Sequence, residues 1–157
     1  MSAVDQNESA WIDGTLQRLS HSAFRTKFHL STQDAAYART KGTDTIARHA
    51  HELLRKRVGD AHPFKDGKQT PWRGHPVFTA QHATATCCRG CIERWHGIPR
   101  GRALSDEEVD LLAALVMAWI SRQLKSRPGS AIVPAPVSHG TAHHRSTRAS
   151  YEEPTLF

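Results

Sequence analysis

The sequence predicts a mainly α-helical small domain with a long irregular basic loop and a Cys/His helix stapled by a metal ion. Three observations predict it. Apolar residues recur at helical spacing between good capping residues, and residues 61–76 are dense in Pro and Gly and show no period. All three cysteines, Cys87, Cys88 and Cys91, also fall within five positions among histidines.

Residues 1–8 read as a frayed polar end, after which Trp11, Ile12, Leu16 and Leu19 predict a first short helix. Residues 22–30 are ambiguous. Phe24, Phe28 and Leu30 stand among basic residues there, which suits a segment anchored on the core with Arg25 and Lys27 turned outward. Thr32 is a good N-cap for a helix over 33–41, Gly42 terminates it, and Asp44 starts a second helix that ends near Gly59. In that helix Ile46, Ala50, Leu53, Leu54 and Val58 form one apolar stripe, with Arg48, Arg55 and Lys56 on other faces.

Residues 61–76 are longer than an ordinary connection and read as a functional or disordered loop. Residues 80–96 read as one helix carrying the cysteines, stopped by Gly97, Ile98 and Pro99. Ser105 and Glu108 make a capping box for the next helix, and Asp106 and Glu107 suit its positive end. The run VDLLAALVMAWI over 109–120 is apolar nearly all round, so it belongs at the centre of the core. Beyond Lys125 the composition turns to Pro, Ser, Gly, Thr and His. The expected organisation is a flexible N-terminus (1–8), a single helical metal-binding domain (9–125) and a flexible C-terminal tail (126–157). No window approaches the roughly 18–20 apolar residues of a membrane span, and the first twenty residues lack the pattern of a signal peptide. A soluble cytoplasmic protein without a membrane partner is the expectation.

The chain carries a net charge of +6 and a sequence pI near 9.7, with 11 His in reserve. A local basic patch runs from Arg55 to Arg73, with six basic residues against Asp60 and Asp66. Within it the loop PFKDGKQTPWRGHP mixes Phe64 and Trp72 with Lys65, Lys68 and Arg73, side chains that can stack on bases and hold phosphates. An ordered loop pinned by its aromatics fits the same residues, and both can hold together.

An odd number of cysteines, two of them adjacent, is poor material for a disulfide framework and better material for metal ligation or thiol chemistry. Six potential ligands, His75, His82, Cys87, Cys88, Cys91 and His96, lie within 22 positions. Cys88 and Cys91 have C-x2-C spacing, and Cys87 stands one helical turn before Cys91. A retroviral-type zinc knuckle would continue from His96 to a cysteine, but Gly101 stands there. Zinc is the expected ion, with an iron–sulfur cluster the smaller share. No H-E-x-x-H or deaminase signature is present. If the ion is catalytic, Glu93 or His82 is the available acid or base.

The run GKQTPWRGHPVFTAQHATATCCRGCIERWHGIPRGRALS resembles a family of small bacterial and prophage-encoded proteins labelled only as a domain of unknown function. The resemblance extends from about His21 to Ile120 and implies membership without an activity. The terminal residues Glu153, Pro154, Thr155, Leu156 and Phe157 resemble the Q-L-S/D-L-F peptides that dock on bacterial sliding clamps, departing at Glu153 and Pro154. That resemblance would make Leu156 and Phe157 partner-binding anchors.

The leading expectation is a zinc-binding protein associated with DNA or RNA, in repair or phage-related DNA metabolism. Arg25, Lys27, Lys65, Lys68, Arg73, Arg89, Arg94, Arg100 and Arg102 would contact phosphates and Trp72 would stack. A metal-dependent hydrolase such as a nuclease is the runner-up, and a small thiol or redox protein using Cys88 and Cys91 is the third reading.

Overall fold

The computed structural model describes residues 2–126, which form seven helices and no strand. In chain order these are α1 (Ala3–Leu19), α2 (Ala23–Thr26), α3 (Thr32–Lys41), α4 (Thr43–Val58), α5 (Pro76–Ala83), α6 (Arg89–His96) and α7 (Asp106–Ser126). Among the described residues the expected helical class therefore holds. Leu156 and Phe157, and the tail beyond Ser126, lie outside the described residues.

The N-terminal end differs from expectation, because α1 begins at Ala3 rather than near Trp11. Ser2 and Asp5 cap each other's orphan groups: the Ser2 hydroxyl accepts from the Asp5 N–H at 3.3 Å, and the Asp5 carboxylate accepts from the Ser2 N–H at 3.2 Å. Further along, Ser31 rather than Thr32 caps α3, accepting from the Asp34 N–H at 3.0 Å. Gly42, at φ +88°, ends α3 and starts α4, a backbone conformation that favours glycine. At α7 the expected box forms in both directions: Ser105 Oγ accepts from the Glu108 N–H at 3.1 Å and Glu108 Oε1 accepts from the Ser105 N–H at 2.9 Å. Arg102 also grips Glu108 with two 2.7 Å bonds, and this guanidinium holds the Glu108 carboxyl down at about 2.

The all-round apolar character of α7 has a direct physical reason. One side packs on α4 and α5, where Leu112, Val116 and Ile120 meet the buried α4 stripe of Ile46, Leu53, Leu54 and Val58 together with Val77. Its other side gives Leu115 to a second cluster with Leu16 and Leu19 of α1 and Ala85. Each large side chain buried in this way contributes about 1.5–3 kcal/mol by removal from water.

The 59–75 connection is held by polar contacts. Gln69 accepts from the Gly67 N–H at 2.7 Å and donates to Asp66 at 2.7 Å, and Arg57 donates to the Gln69 carbonyl at 2.5 Å. Asp66 in turn accepts from the Arg89 backbone N–H at 2.9 Å, which ties the loop to the start of α6.

His49 and His75 are buried together in the core, with Nδ1 of His49 3.1 Å from Nε2 of His75. His75 is the α5 N-cap, and its Nδ1 accepts from the Val77 N–H at 3.0 Å. Both ring nitrogens of His75 are thus spent on the fold, which leaves none for the metal ion it was expected to hold. Burial, and then the neighbouring His49, pull the His75 pKa down to about 3 from 6.5. The unfolded chain therefore binds a proton here that the folded chain refuses. Stability from this group is complete above pH 6.5 and falls by about 1.4 kcal/mol per pH unit as pH drops toward 3. His75→Asn keeps a capping acceptor without the titration. Urea midpoints measured between pH 7 and 4 should fall less steeply for this variant than for the parent, and equal slopes would remove the argument.

Candidate metal centre

The expected single helix over 80–96 is two helices, and the break between them builds the site. After α5, Thr84 donates to the Ala80 carbonyl at 2.7 Å, the Thr86 N–H returns to the Gln81 carbonyl at 2.8 Å, and Gln81 Nε2 donates to the Thr86 carbonyl at 3.1 Å. These side chains satisfy a buried turn in which Ala85 takes φ +59°. The chain then restarts at Cys88, the extended N-cap of α6, whose Sγ accepts from the Cys91 N–H at 3.4 Å. Cys87 therefore lies outside any helix, and the helical-face argument for pairing it with Cys91 does not apply.

The three sulfurs converge nevertheless. Their Sγ atoms lie within 4.8 Å of one another, the one group of three or more His, Cys, Asp or Glu side chains among the described residues placed to hold a metal ion. Cys87 and Cys88 are buried and Cys91 is partly open. Arg25 reaches in from α2 with Nη2 3.2 Å from Cys91 Sγ and Nη1 3.9 Å from Cys87 Sγ. It also donates to the His82 carbonyl at 2.7 Å. Hydrogen bonds from Cys87 and Cys88 and the Arg25 guanidinium hold Cys91 well below the ordinary thiol range, while the bonds to Cys88 and Cys91 and burial push Cys87 far up. Cys91 is thus the member of the trio most disposed to give up its proton. Three thiolates around a divalent ion carry one net negative charge, and Arg25 supplies the matching positive one.

A cavity of about 520 Å³ opens onto the sulfurs, lined also by Phe24, Arg25, Lys68, Trp72 and His82. His82 is stacked under Trp72 at 4.1 Å between ring centroids and 11° between planes, with Phe28 beside it at 5.5 Å. Its Nε2 donates to the carbonyls of Thr70 and Pro71 at 3.2 and 3.0 Å, which fixes the tautomer and leaves Nδ1 as the basic atom. Burial lowers its pKa and keeps the ring neutral near pH 7. Thr70 closes the circuit by donating to the Cys87 carbonyl at 2.7 Å.

The remaining expected site residues are dispersed. His96 donates from Nε2 to the Thr84 carbonyl at 2.8 Å and packs its ring on Trp11, outside the three-sulfur group. Glu93, expected as an acid or base, lies on the outer face of α6, where it caps the Arg100 N–H at 2.9 Å and pairs with its guanidinium at 3.5 Å. It does not line the thiol cavity. Arg89 is fully buried and donates to backbone carbonyls, and Arg25 is 6% exposed, so neither can reach a phosphate. Arg25 and Phe24 in fact exchange their expected places, because the guanidinium turns in to the sulfurs and Phe24 is left exposed. Arg100 and Arg102 are engaged with carboxylates, whereas Lys27, Lys65, Lys68, Trp72, Arg73 and Arg94 are exposed. Arg25, Thr70 and Phe28 are the site residues that sequence reasoning misplaced or missed, and no local pattern marks them, since they act across long chain separations.

No helix among the described residues is long and apolar enough to cross a membrane. A protein-family model described as Domain of unknown function (DUF4186) matches residues 13–121. No solved structure matches the chain.

Proposed function

The chain belongs to the DUF4186 family, a membership that carries no activity with it, and from the chemistry of its thiol site we propose that it is a zinc protein that associates with single-stranded nucleic acid. The observation that carries this reading is the Trp72 indole, which rests one face on His82 and is 61% exposed, at the rim of the three-sulfur cavity. A preorganised open indole suits base stacking. Lys68 lines the same cavity, and Lys27 and Arg73 line a second cavity of about 530 Å³ that Trp72 also borders. The phosphate contacts are therefore assigned to Lys27, Lys65, Lys68 and Arg73, a smaller set than the sequence suggests.

Zinc fits the donor set. Zn–S bonds of about 2.3 Å place tetrahedral sulfurs about 3.8 Å apart, within reach of a trio already inside 4.8 Å, whereas an iron–sulfur core spreads its thiolates more widely. The ion would act on nucleic acid indirectly, by fixing Cys87, whose carbonyl holds Thr70, whose carbonyl holds the His82 under Trp72. Binding of a fluorescent oligothymidine should weaken as salt rises, with a log–log slope of about −3 for four phosphate contacts. Trp72→Ala should weaken it by about 1–3 kcal/mol, roughly 5- to 150-fold. Absence of binding at low salt, or an unchanged affinity in Trp72→Ala, would defeat the reading.

The cavity over the sulfurs favours a second reading, a metal-dependent hydrolase, because catalytic zinc keeps a position open where structural zinc is closed. His82, with Nδ1 as its basic atom, would handle the proton, and Glu93 would not. Zinc-dependent cleavage of an oligonucleotide that survives Glu93→Ala and disappears in His82→Ala would establish it over the binding reading.

A further inference from the structure

We infer that the trio is also a hydroperoxide-reactive site, in which Cys91 and Cys88 close a disulfide and leave Cys87 as the single free thiol. Three observations carry this. Cys91 is the partly open member of the trio, facing the cavity with the Arg25 guanidinium 3.2 Å from its sulfur. Cys88 is the N-cap of α6 and Cys91 stands three residues on, its N–H on Cys88 Sγ, the C-x2-C placement at a helix start in which thiolates are favoured and reactive. The third is backbone geometry. Residues three apart in a first helical turn have Cα atoms about 5 Å apart, inside the roughly 4.4–6.8 Å range of disulfides. The adjacent pair Cys87 and Cys88 is held near 3.8 Å by its trans peptide, below that range. Cys87 is further tied down through its carbonyl by Thr70.

The chemistry balances with a hydroperoxide, ROOH, as the oxidant. The Cys91 thiolate attacks the terminal peroxide oxygen. The O–O bond breaks, the sulfur loses two electrons to become a sulfenic acid, and the departing alkoxide takes a proton from water to leave as ROH. Cys88 sulfur then attacks the sulfenic sulfur, an S–S bond replaces the S–O bond, and hydroxide leaves as water with the thiol's proton or one from solvent. Two of the three metal donors are consumed, so a bound ion would be released. The release rests on the metal reading above, and the disulfide rests on thiol geometry alone.

The chain makes its own assay possible, because Arg89 lies between the two cysteines and Arg94 follows Cys91. Full-length protein is treated with one equivalent of hydrogen peroxide, alkylated, and digested with trypsin, with zinc release followed in parallel by a chromophoric chelator. The expected product is the peptide Gly90–Arg94 joined through Cys91 to Cys88 of the preceding peptide, with Cys87 alkylated and two thiols lost per peroxide. Zinc release should match the disulfide in amount. A disulfide without zinc in the starting protein would leave this inference standing and sink the metal reading. A bond to Cys87, overoxidation of Cys91 to the sulfinic acid, or three thiols that all remain alkylatable would overturn the inference itself. The mapping uses the unsubstituted chain and so does not depend on any variant folding.

Discussion

Arg89→Ala is expected to destabilise the domain by about 3–5 kcal/mol, a large part of the roughly 5–15 kcal/mol that holds a domain of this size together. The Arg89 side chain has no exposed surface and faces no carboxylate at bonding distance. Its guanidinium instead donates to the carbonyls of Val58 at 3.5 Å, Asp60 at 2.8 Å, Pro99 at 2.9 Å and Arg102 at 2.8 Å. It therefore joins the C-terminal end of α4, whose last carbonyls have no partner within the helix, to the irregular segment between α6 and α7. Alanine would leave those carbonyls buried without donors and open a cavity as well. Arg89→Lys should recover little of the loss, because one ammonium cannot span the directions that the planar fork serves. The check is a urea titration: the midpoint should fall with little change in slope, and a loss under about 1 kcal/mol would mean that water can replace the guanidinium.

Removal of the metal should have the next largest effect. Protein prepared without an affinity tag or chelator should carry about one zinc per chain. With free zinc at a thousand times its dissociation constant, the ion adds about 4 kcal/mol of stability, so chelation should lower the melting temperature by on the order of 10 °C. The effect should shrink as pH falls, because protons compete for all three thiolates. Identical melting curves with and without chelator, on protein containing no metal, would reject the centre.

Much of the architecture was legible because capping chemistry and apolar period are local. Ser105 and Glu108 announce α7, and the Ile46 to Val58 stripe announces α4, since each signal lies within a few residues of the element it specifies. The break between α5 and α6 was hidden for a physical reason. HATAT contains neither Gly nor Pro, and the turn is paid for by threonine hydroxyls and a glutamine amide whose partners appear only once the chain has folded. The cysteine trio was legible as a group, but its surroundings were not. A basic residue in a one-turn helix such as α2 looks like surface, and what draws Arg25 inward is a sulfur 66 positions away. His75 misled in the opposite way, since a histidine near cysteines resembles a ligand until the core claims both of its ring nitrogens.

The place of α7 between two apolar clusters also bears on how the chain is made. Each cluster needs a wall from this helix, and α7 follows every other described helix in sequence. As the polypeptide leaves the ribosome, the α4 stripe and the inner face of α1 emerge before the wall that α7 gives each of them, and until then the α4 stripe has only α3 and α5 to pack on. Neither cluster is closed until residues 109–120 have cleared the exit tunnel. The last of the described helices thus completes both halves of the core in one step, and the nascent chain depends until then on whatever shields exposed apolar segments during translation.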